Sequence, residues 1–197
     1  FPNACIWLSE PTWANHSKIF NAAGLVVKTY PYFDANNNQL DFDSMSDVLR
    51  TVPSGDFVLL HGCCHNPTGI DPKIEQWRIL GDIATSAGWT PLVDFAYQGF
   101  GNGIEEDAAG LRSLCRPGCE LLIASSFSKN FGLYQDRVGA LTLVASTDEA
   151  AVNNLSHLKV AVRTSYSNPP AHGSNIVNEI LADEILYNQW VTEVEGM

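Results

Sequence analysis

The chain has 197 residues, 45% of them hydrophobic, enough for one sizeable core or for one large domain of a bigger protein. A formal charge of −11, scattered rather than blocked, excludes the basic stripe with which nucleic-acid binders replace counterions. No apolar run approaches the roughly 18 residues that a membrane-crossing helix needs, so neither nucleic acid nor membrane is an expected partner.

The elements alternate along the chain. Residues 6–8 predict a short strand, 18–23 a helix stopped by Gly24, and 25–30 a second strand. Asp43 is placed to cap a helix running to Arg50. Phe57–His61 reads as a buried strand that ends in the turn-rich His65-Asn-Pro-Thr-Gly. Ile74, Trp77, Leu80, Ala84 and Ala87 recur at spacings of three and four, which predicts an amphipathic helix ended by Gly88. Strands at 91–94, 121–125 and 138–145 follow, with a helix at 107–114 between the first two. Val152, Leu155, Leu158 and Val162 share one helical face, and further helices are expected at 176–186 and from 189 on. Strands joined by helices of these lengths imply crossover connections, hence an α/β fold with a mostly parallel sheet flanked by helices.

The five cysteines, Cys5, Cys63, Cys64, Cys115 and Cys119, are odd in number and irregular in spacing, which suits reduced thiols and a cytoplasmic location. His61, Cys63, Cys64 and His65 could be drawn as a zinc site. Adjacent residues rarely converge on one metal, and the usual paired spacing is missing, so no metal is expected. A non-catalytic Cys/His metal-binding module is nonetheless an alternative of another functional class. The chain opens at Phe1 directly into an apolar stretch and stops inside a helical pattern, so it reads as an internal fragment. Without the true N-terminus, an organellar form stays open beside the cytoplasmic one.

In parallel α/β sheets ligands sit beyond the carboxyl ends of the strands. The polar residues at those ends form a coherent set: His61 and Asn66 after one strand, Asp94 and Tyr97 after another, Ser126 and Lys129 after a third. Lys129 offers an amine for carbonyl chemistry, since Schiff-base lysines are desolvated and held beside cations. Ser126, Ser128 and Arg137 could hold a phosphate. Asp94, among apolar neighbours, needs a cation or hydrogen-bond donors, and a protonated heterocyclic nitrogen would be one such partner. His16 or His61 could orient that carboxylate. Tyr97 and Asn66 could both donate to a ring oxygen, and Trp13 offers a flat face for stacking. A lysine for an aldehyde, an aspartate for a pyridinium, donors for a phenolate and Ser/Arg for a phosphate together describe pyridoxal 5′-phosphate.

Three segments in order, His61-Gly-Cys-Cys-His-Asn-Pro-Thr-Gly, Asp94-Phe-Ala-Tyr-Gln-Gly-Phe and Ser126-Phe-Ser-Lys-Asn-Phe-Gly-Leu-Tyr-Gln-Asp-Arg-Val-Gly, strongly resemble the aspartate aminotransferase family. That family is the class I, fold-type I branch of pyridoxal-phosphate enzymes. The resemblance covers essentially the whole chain. It implies Lys129 as the Schiff-base lysine, Asp94 as partner of the pyridine nitrogen, and Asn66 and Tyr97 as ligands of the ring oxygen. It further implies Ser126 and Arg137 as phosphate ligands, Trp13 stacked on the ring and His16 behind the aspartate. Arg163 matches the arginine that reads the distal carboxylate of aspartate or glutamate from the neighbouring subunit, which implies a homodimer. Trp13, Asn66 and Arg163 then face the substrate. Residues 1–185 would be part of the large cofactor-binding domain and 186–197 the start of a helix leading toward a C-terminal small domain. Absent from the chain are the family's N-terminal arm, its Ser/Gly/Thr phosphate loop and the arginine for the α-carboxylate. The expected reaction is transamination between L-aspartate and 2-oxoglutarate, with an aromatic aminotransferase of the same family as the nearest alternative.

Overall fold

The computed structural model describes residues 3–197. Its first strand, β1 (Cys5–Glu10), is followed by α1 (Asn15–Ala22) and β2 (Val26–Pro31). A small hairpin of β3 (Phe33–Asp34) and β4 (Gln39–Leu40), absent from the sequence reading, leads into α2 (Phe42–Leu49). Then come β5 (Phe57–His61), α3 (Ile74–Ala87), β6 (Thr90–Phe95), α4 (Ile104–Asp107), α5 (Ala109–Leu114) and β7 (Leu121–Ser126). The chain closes with β8 (Gly139–Val144), α6 (Asp148–Ser165), α7 (Ala171–Ala182) and α8 (Glu184–Glu195).

Six strands form one sheet in the order β2-β1-β5-β6-β7-β8. All neighbours are parallel except β7 and β8, which run antiparallel. The mostly parallel α/β architecture is therefore as expected. No helix separates β7 from β8, so the chain turns straight back along the edge instead of crossing over. The central strand β5 is buried on both faces, whereas the edge strands β2 and β8 are largely exposed. Val58 and Leu60 of β5 join the large core under α2, α3 and α5, while Leu59 between them joins Ile6 and Leu8 on the opposite face. That alternation explains why β5 reads as a continuous apolar run.

Three local expectations are corrected. The cap of α2 is Asp41, whose carboxylate accepts from Ser44 N–H, whereas Asp43 lies in the first turn. The helix expected over 107–114 is α5 alone, because Asp107 ends the separate helix α4, its carboxylate accepting from the N–H groups of Gly99, Gly101 and Asn102. The break between the last two helices falls at Asp183, whose carboxylate caps α8 through Ile185 and Leu186 N–H, so α8 opens before residue 186.

What matters for the site is register. His61 pairs with Asp94, and Asp94 with Ala124, so the carboxyl ends of β5, β6 and β7 come level. The turn after β7 is anchored from two sides. Asn130 donates to the Gln98 carbonyl at 3.2 Å, and Trp190 of α8 donates to the Asn130 carbonyl at 2.6 Å. Trp190 also stacks on Phe131 with ring centroids 4.5 Å apart. Lys129 thus sits in a braced turn and not in a free loop.

Candidate functional site

Asp94 closes a chain of side chains that starts at a backbone donor. The Asn66 N–H donates to His61 Nδ1 at 3.4 Å, which leaves the proton of that neutral ring on Nε2. His61 Nε2 then donates to Thr12 Oγ1 (3.2 Å), Thr12 Oγ1 and His16 Nδ1 are hydrogen-bonded at 2.8 Å, and His16 Nε2 donates to Asp94 Oδ2 (3.0 Å). Burial pushes the His61 imidazole down to about 3, with His65 and His16 adding repulsion, which keeps it in the neutral form this chain needs. His16 is almost fully buried, while the Asp94 side chain is 26% exposed. Asp94 Oδ1 has no hydrogen-bond partner among the described residues, so the carboxylate is held by one oxygen and presents the other.

Lys129 lies over the Tyr97 ring, its Nζ 4.4 Å from the centroid. Tyr97 Oη in turn receives a long hydrogen bond from Asn66 Nδ2 at 3.4 Å. Three successive strand ends therefore deliver one group: Asn66 after β5, Asp94 and Tyr97 at and after β6, Lys129 after β7. Trp13 stands edge-on to His16 with centroids 5.2 Å apart, and is 42% exposed despite its size. An exposed tryptophan beside a buried histidine leaves an aromatic face free to cover a flat ligand.

The polar groups around β7 form the second part. Ser126 Oγ accepts from Ser128 N–H at 3.2 Å, and Arg137 Nη1 reaches Ser128 Oγ at 3.5 Å and the Tyr134 carbonyl at 3.2 Å. Arg137 takes φ 55, a left-handed conformation uncommon for a residue with a Cβ. That turn aims the guanidinium back at the serines. Two hydroxyls and an exposed guanidinium are the donor set that binds a phosphate.

Arg163 is not joined to this group by any hydrogen bond or ion pair among the described residues. It is exposed in the last turn of α6, and its guanidinium donates to Ser167 Oγ at 2.7 Å.

Several contributors escaped the sequence reading. Thr12 is the link between the two histidines, and only its i, i+4 spacing from His16 hinted at it. Asp71 accepts from Cys64 N–H and from His65 N–H (2.9 Å), which fixes the loop that carries Asn66. His65 is buried between Ser9 Oγ and Thr68 Oγ1, each at 2.9 Å, and stacks on Tyr32 at 3.8 Å. The Ser9–His65, Thr12–His61 and Tyr32–His65 contacts join residues far apart in sequence, which no local pattern marks.

Against known proteins, the family model for aminotransferase class I and II matches residues 1–197. The chain is 53% identical over 192 residues to the aspartate aminotransferase of Escherichia coli (strain K12), covering 98% of this chain and 48% of that protein. It is 50% identical over 196 residues to the aromatic-amino-acid aminotransferase of Pseudomonas aeruginosa, covering 100% of this chain and 49% of that protein. Among solved structures, the aromatic-amino-acid aminotransferase from Burkholderia pseudomallei, covalently bound to pyridoxal phosphate, superposes with a TM-score of 0.97 at 43% identity, over 99% of this chain and 49% of that one. The chain spans about half the length of the curated relatives it matches. With the family model covering the whole sequence and the fold shared with a relative at 43% identity, this chain belongs to the class I and II aminotransferases.

Proposed function

We propose that the chain forms the cofactor-binding part of the large domain of an aspartate aminotransferase. It would hold pyridoxal 5′-phosphate and serve amino-group exchange between L-aspartate and 2-oxoglutarate, giving oxaloacetate and L-glutamate. The observation that carries this reading is the convergence of Lys129, Tyr97, Asn66 and Asp94 at three level strand ends, with His16 behind the aspartate.

The donor set fits that cofactor. The presented Oδ1 of Asp94 suits a protonated ring nitrogen, the Tyr97 and Asn66 donors suit a ring oxygen, and Ser126 with Arg137 suits the phosphate. Pyridoxal phosphate, when bound, supplies an aldehyde that condenses with amines and a ring that accepts the electrons released at the substrate Cα.

The chain's own residues do the rest. Lys129 Nζ would be the amine that holds the cofactor through its aldehyde and, when free, the base placed to take the proton from the substrate Cα. Asp94, oriented by His16, Thr12 and His61, keeps the proton on the ring nitrogen. Tyr97 and Asn66 orient the ring oxygen, and Trp13 covers the ring face and excludes water. In the complete protein Arg163 would pair bidentately with the distal carboxylate of a dicarboxylic substrate bound to a second subunit, which makes a homodimer part of the proposal. Its exposure on α6, a helix with no buried residue, supports that reading.

A second reading, an aromatic aminotransferase, draws support from the Pseudomonas relative and the Burkholderia structure. Steady-state kinetics of the complete protein separates the two. A higher kcat/KM for aspartate than for phenylalanine is expected, and a much higher value for phenylalanine would replace the first reading by the second.

A further inference from the structure

Beside the site, Cys63 and Cys64 form a second group of reactive side chains that the amino-transfer reading does not use. Consecutive residues in an extended strand point to opposite faces. Here Cys64 takes φ 49, a left-handed turn fixed by Asp71, which receives the N–H groups of both Cys64 and His65. That turn folds the two sulfurs to one side. Cys63 Sγ, Cys64 Sγ and a carboxylate oxygen of Asp107 all lie within 4.8 Å of one another.

Cys63 and Asp107 also line a cleft of ≈ 240 Å³, together with Asp71, Lys73 and Glu106. The Asp107 carboxylate already accepts three N–H groups, from Gly99 and Gly101 on Oδ2 and from Asn102 on Oδ1. It is therefore locked in place, and one lone pair of Oδ1 is left.

We propose that Cys63, Cys64 and Asp107 form a binding site for a soft divalent metal ion, zinc or cadmium, distinct from the Lys129 site. A metal about 2.3 Å from each sulfur and about 2.1 Å from oxygen needs ligand atoms under roughly 4 Å apart, a small closure from the spacing observed. Binding displaces a proton from each thiol to solvent and leaves both sulfurs as thiolates, with water from the cleft completing the coordination. The site lies on the loop that carries Asn66, so occupancy would also bear on the geometry of that residue.

The test uses the complete protein with every cysteine other than Cys63 and Cys64 replaced by serine, titrated with cadmium chloride and read by ultraviolet thiolate-to-cadmium charge transfer. The band should saturate at one ion per chain, diminish on competition with zinc, and vanish when Cys64→Ser is added. No band in the starting variant, or a band undiminished after Cys63→Ser and Cys64→Ser together, would overturn the proposal. As a check on unaltered protein, cadmium should slow iodoacetamide labelling of the Cys63–Cys64 peptide at least 10-fold. Labelling at an unchanged rate would count equally against it.

Discussion

Asp94 shows how much a single carboxylate depends on residues far away in sequence. Its partner His16 lies 78 positions earlier, and the chain behind it runs through Thr12 to His61 and the Asn66 N–H. The type of residue needed at position 94 was legible from its place at a strand end among apolar neighbours. Its support was only half legible: the resemblance supplied His16, but nothing in a one-dimensional pattern singles out Thr12. Removing the first support gives a direct prediction. A hydrogen bond to a charged group contributes about 1.5–3 kcal/mol. His16→Leu in the complete protein should therefore weaken pyridoxal phosphate binding about 10- to 100-fold, read by absorbance titration, with the melting temperature of the cofactor-free form little changed. Unchanged cofactor affinity would mean that Asp94 does not act through His16.

At the scale of elements, the parallel core was legible because the pattern of strands and crossover helices leaves few alternatives. The acidic residues were harder to assign. Asp41 and Asp43 both stand where a cap could be, and only the turn geometry selects Asp41. Asp107 looks like a helix start but is a clamp on three backbone N–H groups of the preceding loop. The end of β5 and the loop after it carry a further element-scale consequence, because they bury His61 and His65. Burial pushes His65 down to about 4 and His61 down to about 3, from an ordinary value of 6.5. As pH falls below about 6.5 the unfolded chain takes up these protons first. Stability that is complete above pH 6.5 should therefore decline progressively toward pH 4 and below. Melting temperatures of the complete protein from pH 7.5 to 4, with a chelator present, should fall more steeply than those of the His65→Gln variant. Parallel curves would show that His65 is not held neutral by the fold.

Over the whole molecule, burial is uneven. The sheet from β1 to β7 is covered, whereas α6 has no buried residue and exposes Val152, Leu155 and Val160, and β8 exposes Leu141. Lys129 and Tyr97 meet at the covered, well-braced end, while Arg163 stands on the uncovered helix. This division agrees with a chain that spans about half the length of its curated relatives. It also accounts for what the sequence could and could not tell. Lys129, Asp94, Asn66 and Tyr97 stood out because they lie at or after successive strand ends, while Arg163 on α6 makes no hydrogen bond to them among the described residues. The central claim is that Lys129 is the residue that reacts with the cofactor's aldehyde, and five lysines in the chain could compete for that role. Borohydride reduction of the complete protein loaded with pyridoxal phosphate, followed by peptide mass spectrometry, tests it most directly. The account predicts the phosphopyridoxyl group on Lys129 at one per chain; finding it on another lysine, or finding Lys129 unmodified, would contradict it.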